Sequence, residues 1–374
     1  MAPVAARGAG RRGGGLGALR QWTTAVPLLS LIVLVSLWTV KPGTAVLVAL
    51  SPLLAGSILA AVHHAEVVAH RVGEPFGSLV LAVAVTVIEV GLIVMLMVSG
   101  DGKDTATLAR DTVFAAAMIT VNGILGLSVL AGALRRGAAH FNSEGSATAL
   151  ATVLTLATVC LVLPTFTSSA EGREFTATQL AFASVASLAL YGLFVWVQTV
   201  RHRDYFLPVE EDAGDDEHAD PPSDRDARLS AGLLLVSLVS VVGLAKLESP
   251  GIEDAVAAIG APASAVGVVI AVMVLSPETL AAVRNARRGR VQNSLNLAFG
   301  SAMASIGLTI PAIAVASIWL DGPLELGLGG TQMVLLAITA VVGALTVLPG
   351  RATVQEGGVH LVLLAAFLFL AVHP

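Results

Sequence analysis

Apolar segments long enough to cross a membrane alternate with short polar segments along nearly the whole chain. A membrane-spanning helix needs about 20 predominantly apolar residues. The pattern predicts eleven such helices, at residues 24–40, 44–66, 77–99, 111–134, 147–163, 177–199, 229–246, 262–283, 294–319, 331–348 and 357–373. The chain is therefore predicted to be an all-α polytopic membrane protein.

Composition and charge support this interpretation. Only 13% of the 374 residues are charged, against about 25% in soluble domains, which argues against a large soluble core. Lys and Arg concentrate in the cytoplasmic loops of membrane proteins. If the N-terminus is cytoplasmic, 16 of the 21 Lys and Arg residues fall inside. The remaining five are Lys41, Lys103, Arg110, Arg173 and Lys246. We therefore predict a multi-pass protein of the inner or plasma membrane, with its C-terminus outside.

One long polar stretch, residues 201–228, interrupts this pattern. It contains EEDAGDDEHADPPSDRD and has the composition of a flexible acidic linker. The predicted organisation is a basic N-terminus (1–23), an extra helix (24–40), a five-helix repeat (44–200), the cytoplasmic linker and a second five-helix repeat (229–374). Since five is odd, the two repeats would have opposite orientations in the membrane, as in many secondary transporters.

Two glutamates lie inside apolar segments, where ionisable residues are rare. Glu89 belongs to AVAVTVIEVGLIVMLMV (82–98) and Glu278 to VGVVIAVMVLSPETLAAV (266–283). A carboxylate at bilayer depth costs about 2.5–3.5 kcal/mol on insertion scales and is usually functional. Each glutamate lies in the second helix of its predicted repeat, before a helix rich in small and hydroxyl residues. The pair is therefore predicted to form a cation site where the repeats meet.

Three segments resemble a known family. They are HHAEVVAHRVGEPFGSLVLAVAVTVIEV (63–90), HFNSEG (140–145) and SPETLAAVRNARRGRVQNSLNLAFGSAMASIGLTIP (276–311). They resemble the bacterial ChaA-type calcium/proton antiporters of the calcium/cation antiporter superfamily. The resemblance implies export of Ca²⁺, or alternatively of Na⁺ or K⁺, in exchange for H⁺. Related eukaryotic exchangers carry a G-N-A-x-E-type motif in each repeat, but here Thr86 stands three residues before Glu89. The resemblance therefore carries over the two glutamates rather than their neighbours.

Ca²⁺ takes six to eight oxygen ligands. The predicted site would use both glutamate carboxylates as metal ligands. Neutral oxygens are predicted from Thr86, Asn122, Ser276, Ser301 and Ser305. This set contains no thiolate or imidazole, which disfavours zinc and copper. Protons would compete with the cation for the same carboxylates, and no cofactor is expected besides the transported Ca²⁺ and H⁺.

A second polar cluster lies in the second predicted helix. His63, His64, Glu66 and His70 occupy its predicted cytoplasmic end, where they could sense pH or border the route by which cations enter. They could instead hold catalytic zinc, which usually has three protein ligands, in an intramembrane metal-dependent hydrolase. Their spacing is not HExxH, however, and that alternative leaves Glu89 and Glu278 without a role.

The basic loop that follows Glu278 predicts contact with lipid. Its arginines, 284, 287, 288 and 290, are typical of anchoring on the cytoplasmic leaflet. Neither interleaved aromatic residues nor a soluble domain accompanies them, so nucleic acid is not a predicted partner. The expected partners are membrane lipid and the transported cations, and the sequence makes no prediction of oligomeric state.

Overall fold

The computed structural model describes residues 14–40, 42–73, 76–99, 105–207, 222–320 and 322–374. The helices in these ranges are α1 (Gly14–Leu37), α2 (Thr44–Val72), α3 (Phe76–Ser99), α4 (Leu108–Met118), α5 (Leu125–Arg136), α6 (Ser143–Ala157), α7 (Ala177–Trp196), α8 (Asp224–Ala258), α9 (Ala265–Arg287), α10 (Val291–Ala316), α11 (Gly330–Val347) and α12 (Val354–Val372). Two short strands, β1 (Ala139–His140) and β2 (Arg351–Ala352), pair antiparallel.

Non-α turns extend three of these helices. The π-helical segment Ile119–Ile124 joins α4 to α5, so that Leu108–Arg136 forms one membrane span. The π-helical segments Thr158–Val162 and Val197–Arg201 follow α6 and α7, and each leads into a short 3₁₀ turn, Leu163–Thr165 and Arg203–Phe206. π-Helical turns occur often at functional sites, and the first one contains Asn122.

The prediction of an all-α polytopic fold is confirmed. Within the described residues, ten helices are long and apolar enough to span a membrane, and the apolar part of α1, Trp22–Leu37, is a shorter eleventh. Some bounds differ from the predicted ones. Helix α1 begins at Gly14 rather than residue 24, and α8 runs from Asp224 to Ala258 rather than from 229 to 246. A capping side chain stabilises a helix end that lies in water. At the start of α8 the Ser223 hydroxyl accepts from Asp226 N, so this helix can begin before its apolar segment.

The predicted acidic linker is therefore shorter than 201–228. Residues 203–206 form a 3₁₀ turn and residues 224–228 belong to α8. The remainder, residues 208–221, lies outside the described residues, as does most of the predicted basic N-terminus with Arg7, Arg11 and Arg12. The predicted outer residues Lys41 and Lys103 also lie outside them. The division into repeats 44–200 and 229–374 stays a prediction.

Contacts between loops place every second helix end on the same side of the bundle. We call this side the basic face. Asn142 N at the start of α6 donates to Gln292 Oε1 in α10 at 2.7 Å. Pairing of β1 with β2 joins the α5–α6 turn to the α11–α12 turn. An ion pair of Arg71 with Asp224 joins the end of α2 to the start of α8. Arginines 71, 135, 136, 201, 203, 225, 228, 284, 287, 288, 290 and 351 lie at or next to these helix ends.

The other helix ends meet on the opposite face. The Arg110 guanidinium at the start of α4 donates to the Gly327 carbonyl before α11 at 3.3 Å. Leu328 N donates to the Leu161 carbonyl beyond α6 at 2.9 Å. Few of the described basic residues lie here, so within the described ranges the two faces differ in charge in the direction that the sequence predicts.

The span Leu108–Arg136 forms the centre of the bundle. In its most apolar window 89% of residues are buried, against 17% for α12 at the periphery. Large apolar side chains such as Phe182, Val185 and Phe369 are exposed on outer helices, as expected for surfaces that face lipid. Around the centre, α3 packs on α10 and α4 packs on α9. The second and third spans of each half therefore meet, and they carry Glu89, Asn122, Glu278 and Ser305.

Candidate functional site

A cavity of about 330 Å³ lies between α3, α7, α9 and α10. Its polar lining residues are Thr86, Glu89, Gln198, Glu278, Asn285, Asn293, Asn296, Ser301 and Ser305, together with Tyr191. On all four helices the lining extends from the middle of the membrane towards the basic face. Both glutamates and three of the five predicted neutral ligands therefore border one space.

Glu89 is held by a hydrogen bond that crosses between the two halves. It is 4% exposed, and its Oε1 accepts from the Ser305 hydroxyl of α10 at 2.6 Å. A distance this short is typical of a hydroxyl bonded to a carboxylate. Thr309, one turn further along α10, is fully buried and faces the same carboxylate. Helix α10 thus supplies, through Ser305, the hydroxyl that orients Glu89.

Glu278 lies across the cavity on α9 and is 6% exposed. Its Oε2 has no hydrogen-bond partner among the described residues, and it lies within electrostatic range of Glu89 and Glu66. Helix α9 runs without a break through Pro277. Glu278 is thirteen residues from the start of α9, about 20 Å along the axis, and therefore lies within the membrane. A buried carboxylate oxygen without a donor is open to a cation or a proton.

Thr86 and Ser301 also line the cavity, whereas Ser276 and Asn122 do not. The Ser276 hydroxyl donates to the Val272 carbonyl of its own helix at 2.5 Å. Hydroxyls in helices commonly bind the carbonyl four residues earlier, and Ser276 is no part of the cavity lining, so the structure does not bring it to the glutamates. The roles of Thr86 and Ser301 as cation ligands stay predictions.

Asn122 belongs to a separate buried network. Its Nδ2 donates to the Thr339 hydroxyl at 2.9 Å, and its Oδ1 accepts from His360 Nδ1 at 3.0 Å. His360 Nε2 in turn accepts from the Thr346 hydroxyl at 3.1 Å. This network ties the π-helical segment to α11 and α12. Because the amide is bonded on both sides and lies outside the cavity lining, this geometry favours a structural role over the predicted one as a ligand.

A sequence profile of the sodium/calcium exchanger protein family matches residues 42–200 and 229–373. The chain belongs to this family. The match confirms the resemblance to cation antiporters, and the two matched segments flank the acidic stretch.

The alignments with individual relatives cover nearly the whole chain. The ionic transporter y4hA of Sinorhizobium fredii is 43% identical over 94% of this chain and 96% of its own length. The sodium-potassium/proton antiporter ChaA of Escherichia coli is 34% identical over 91% of this chain and 93% of its own. Among solved structures, the H⁺/Ca²⁺ exchanger CAX superposes with a TM-score of 0.67 and 15% identity, covering 94% of this chain and 88% of that one. This last similarity shows the fold.

The histidine cluster of the exchanger does not converge on a metal site. His64 is buried, and its Nε2 donates to the Thr23 carbonyl of α1 at 2.9 Å, while Glu66 and His70 are exposed. No group of three His, Cys, Asp or Glu side chains in the described ranges could hold a metal ion. The relatives are transporters rather than enzymes, so the hydrolase alternative is not supported. Glu66 instead lies in electrostatic range of Arg284 and Glu278.

Sequence reasoning missed the amides in the lining of the cavity. Gln198 in the π-helical segment after α7, Asn285 on α9 and Asn293 on α10 lie near helix ends at the basic face. At helix ends amides are ordinary residues, so their type gives no signal. The spacing from a glutamate would have given a signal. Asn285 lies seven residues after Glu278, which places it two turns further along the same face of α9.

Proposed function

We propose that this exchanger is a secondary active antiporter that exports Ca²⁺ in exchange for H⁺ by alternating access. Glu89 and Glu278 bind the cation or protons in turn. The observation that carries the proposal is that two buried carboxylates, from α3 and α9, border one cavity that opens towards the basic face. Both are embedded in a bundle of apolar helices, where an unneutralised charge is costly.

The charge balance of the site suits one divalent cation. Two ionised carboxylates would neutralise Ca²⁺, and Ser305, Thr86 and Ser301 offer neutral oxygens beside them. Water in the cavity would complete the six to eight ligands that Ca²⁺ requires. The described part of the lining offers oxygen ligands and contains no imidazole or thiol, so the site favours a hard cation.

Exchange follows from competition for the same oxygens. A carboxylate binds the cation only when ionised, so protons that arrive on Glu89 and Glu278 release it. The buried site carries little net charge when it holds either the cation or the protons. The empty, doubly ionised site is the costly state, so the protein changes access mainly when the site is loaded. This coupling prevents either ion from leaking alone.

The cavities support access from one face at a time. Beyond the glutamates, α3 and α9 contribute buried apolar residues such as Leu92 and Ile270. A second cavity of about 200 Å³ lies past them at the opposite face, lined by Leu96, Glu253 and Val266 among others. The same two helices thus separate a cavity that reaches the carboxylates from one that does not. Rocking of one half against the other would close the first cavity and open the second one to the carboxylates.

A monovalent cargo is the second candidate. The relative ChaA, 34% identical to this chain, is named as a sodium-potassium/proton antiporter, whereas CAX, which is similar in fold, is named as an H⁺/Ca²⁺ exchanger. With Na⁺ or K⁺, one carboxylate could bind the cation while the other keeps a proton. The two-carboxylate site favours Ca²⁺, and the sequence similarity favours Na⁺ or K⁺.

Purified protein in liposomes with an imposed pH gradient tests the proposal. Addition of Ca²⁺, Na⁺ or K⁺ in turn should dissipate the gradient, with Ca²⁺ effective at the lowest concentration. Liposomes without protein should keep the gradient. Gradient dissipation by Na⁺ or K⁺ alone would establish the monovalent alternative, and a response to none of the three would refute cation/proton exchange.

The protein is embedded in a membrane with lipid as its surroundings, and we propose the cell membrane as its location. The basic face, with most described arginines, would face the cytoplasm. The N-terminus would then be cytoplasmic and the C-terminus outside. In this orientation the described structure is open to the cytoplasm.

A further inference from the structure

At the basic face, the described polar lining of the cavity that Glu89 and Glu278 border consists of amides rather than charged groups. Gln198, Asn285, Asn293 and Asn296 approach it from three helices. Among the residues that the structure describes, no Arg, Lys or His side chain belongs to the lining, and its carboxylates are those of Glu89 and Glu278. An ion that enters from the basic face therefore meets neutral oxygens before it reaches the carboxylates.

The four amides differ in their hydrogen bonding. Asn296 is fully engaged, since its Nδ2 donates to the Phe206 carbonyl at 2.7 Å and its Oδ1 accepts from Gln292 Nε2 at 2.8 Å. Gln198, Asn285 and Asn293 form no side-chain hydrogen bond to another described residue, although all three are half-buried. Their oxygens are thus available to a ligand inside the cavity, whereas Asn296 fixes the wall.

The surrounding arginines do not close this route. Arg284, one residue before Asn285, lies in electrostatic range of the Glu66 carboxylate. Arg288 is exposed, and charges in water are screened over about 8–10 Å at ordinary salt concentrations. An amide oxygen, which carries the negative end of a dipole, would offset the remaining repulsion at short range.

We propose that Gln198, Asn285 and Asn293 form a second, neutral cation subsite between the basic face and the two glutamates. The inference rests on the proposed function and adds a recruitment step to it. The subsite takes Ca²⁺, Na⁺ or K⁺ as partly hydrated ions and replaces some of their water with amide oxygens. Without a formal charge it binds weakly, so that the ion can pass on to the carboxylates, as multi-site conduction requires.

The neutral subsite predicts an effect on one side of the membrane only. In the state described, the amides border the path from the basic face and are remote from the second cavity. Replacing Asn285 or Asn293 by Leu keeps approximate size and removes the oxygen. The KM for cation supplied at the basic face should rise about fivefold, as expected for one lost polar contact of about 1 kcal/mol. The maximal rate and the KM at the opposite face should stay within about twofold of wild type.

The assay uses membrane vesicles of both orientations that contain the full-length protein. Labelling of a cysteine introduced by Arg288→Cys identifies the vesicles in which the basic face is outside. Leu297→Ala is the matched control, because Leu297 lines the same cavity without supplying an oxygen. Its KM should stay near the wild-type value on both faces.

Charged variants provide a second test if a leucine variant folds poorly. Asn285→Asp and Asn293→Asp preserve size and add a carboxylate, so the KM for Ca²⁺ at the basic face should fall several-fold and more than that for Na⁺. Equal KM values for wild type, leucine and aspartate variants would overturn the subsite while leaving exchange intact, and so would equal changes on both faces. Absence of exchange in wild-type vesicles would instead refute the proposed function.

Discussion

The Ser305 hydroxyl donates a 2.6 Å hydrogen bond to Glu89 Oε1, and this bond joins α10 of the second half to α3 of the first. The residues are 216 positions apart in sequence. Any motion that separates the halves at this point changes the surroundings of the carboxylate. Under the proposed mechanism, this one contact would couple cation binding and proton binding to the change of access.

Removal of either carboxylate charge should abolish exchange. Glu89→Gln and Glu278→Gln keep shape but leave one negative charge for a divalent ion, and they should fold because they remove a buried charge. Proton-coupled Ca²⁺ uptake in liposomes is the measurement. Glu248→Gln is the matched control, since Glu248 is also 4% exposed but lies outside the cavity lining. Near-normal uptake by either site variant would contradict the two-carboxylate mechanism.

Loss of the Ser305 hydroxyl should weaken cation binding without abolishing transport. The hydroxyl stabilises the ionised carboxylate, and hydrogen bonds to charged groups contribute about 1.5–3 kcal/mol. Ser305→Ala should therefore lower cation affinity at neutral pH by roughly tenfold or more, as measured by calorimetry in detergent. Ser301→Ala, which removes a lining hydroxyl without a comparable bond to Glu89, should have a smaller effect. The reverse order would show that the Ser305 bond is incidental.

Cation affinity should fall as the pH falls. Cation binding requires ionised carboxylates, so binding and proton release are linked, and the apparent titration belongs to the pair. The slope of log affinity for Ca²⁺ against pH should approach two where both carboxylates titrate and approach zero at alkaline pH. Calcium binding measured across the pH range tests this, with Glu248→Gln as a control of wild-type slope. A flat dependence would mean that protons and Ca²⁺ use different groups.

The Asn122 network should contribute to stability rather than to cation affinity. Asn122→Ala leaves His360 Nδ1 without its acceptor, and an unsatisfied buried group costs about 1–3 kcal/mol. His360→Ala should destabilise the protein similarly, and both should lower the melting temperature while cation affinity is retained. Thr346→Val, which removes only the outermost partner, should have a smaller effect. A loss of affinity in Asn122→Ala alone would restore its predicted role as a ligand.

The acidic stretch should be dispensable for transport. Residues 209–221 lie between the 3₁₀ turn that ends at Phe206 and the start of α8. Their replacement by a Gly-Ser segment of equal length should leave exchange intact. A replacement that extends to residue 226 also removes Ser223, which caps α8, and Asp224, which pairs with Arg71, so it should lower stability. Loss of transport in the shorter replacement, in a correctly inserted protein, would assign a working role to this stretch.

The sequence by itself determined the membrane fold and the position of the two buried acids that border the cavity. Hydrophobic segments report spans directly, because lipid excludes unpaired polar groups wherever the chain crosses it. Glu89 and Glu278 were found for the same reason: a carboxylate is conspicuous only where the surrounding pattern forbids one. The bounds of α8 could not be predicted in the same way, because the part of a helix that lies in water need not be apolar.

Only the tertiary structure decided which polar groups accompany the glutamates. Ser276 and Asn122 have suitable oxygens at plausible depths, but neither lines the cavity, and the Asn122 amide instead bonds Thr339 and His360. Asn285 and Asn293 look ordinary in sequence and yet line the cavity. Which way a side chain faces, and what it meets there, depends on how helices from the two halves pack. That packing brings together residues more than 200 positions apart, such as Ser305 and Glu89. Local sequence patterns cannot predict such contacts.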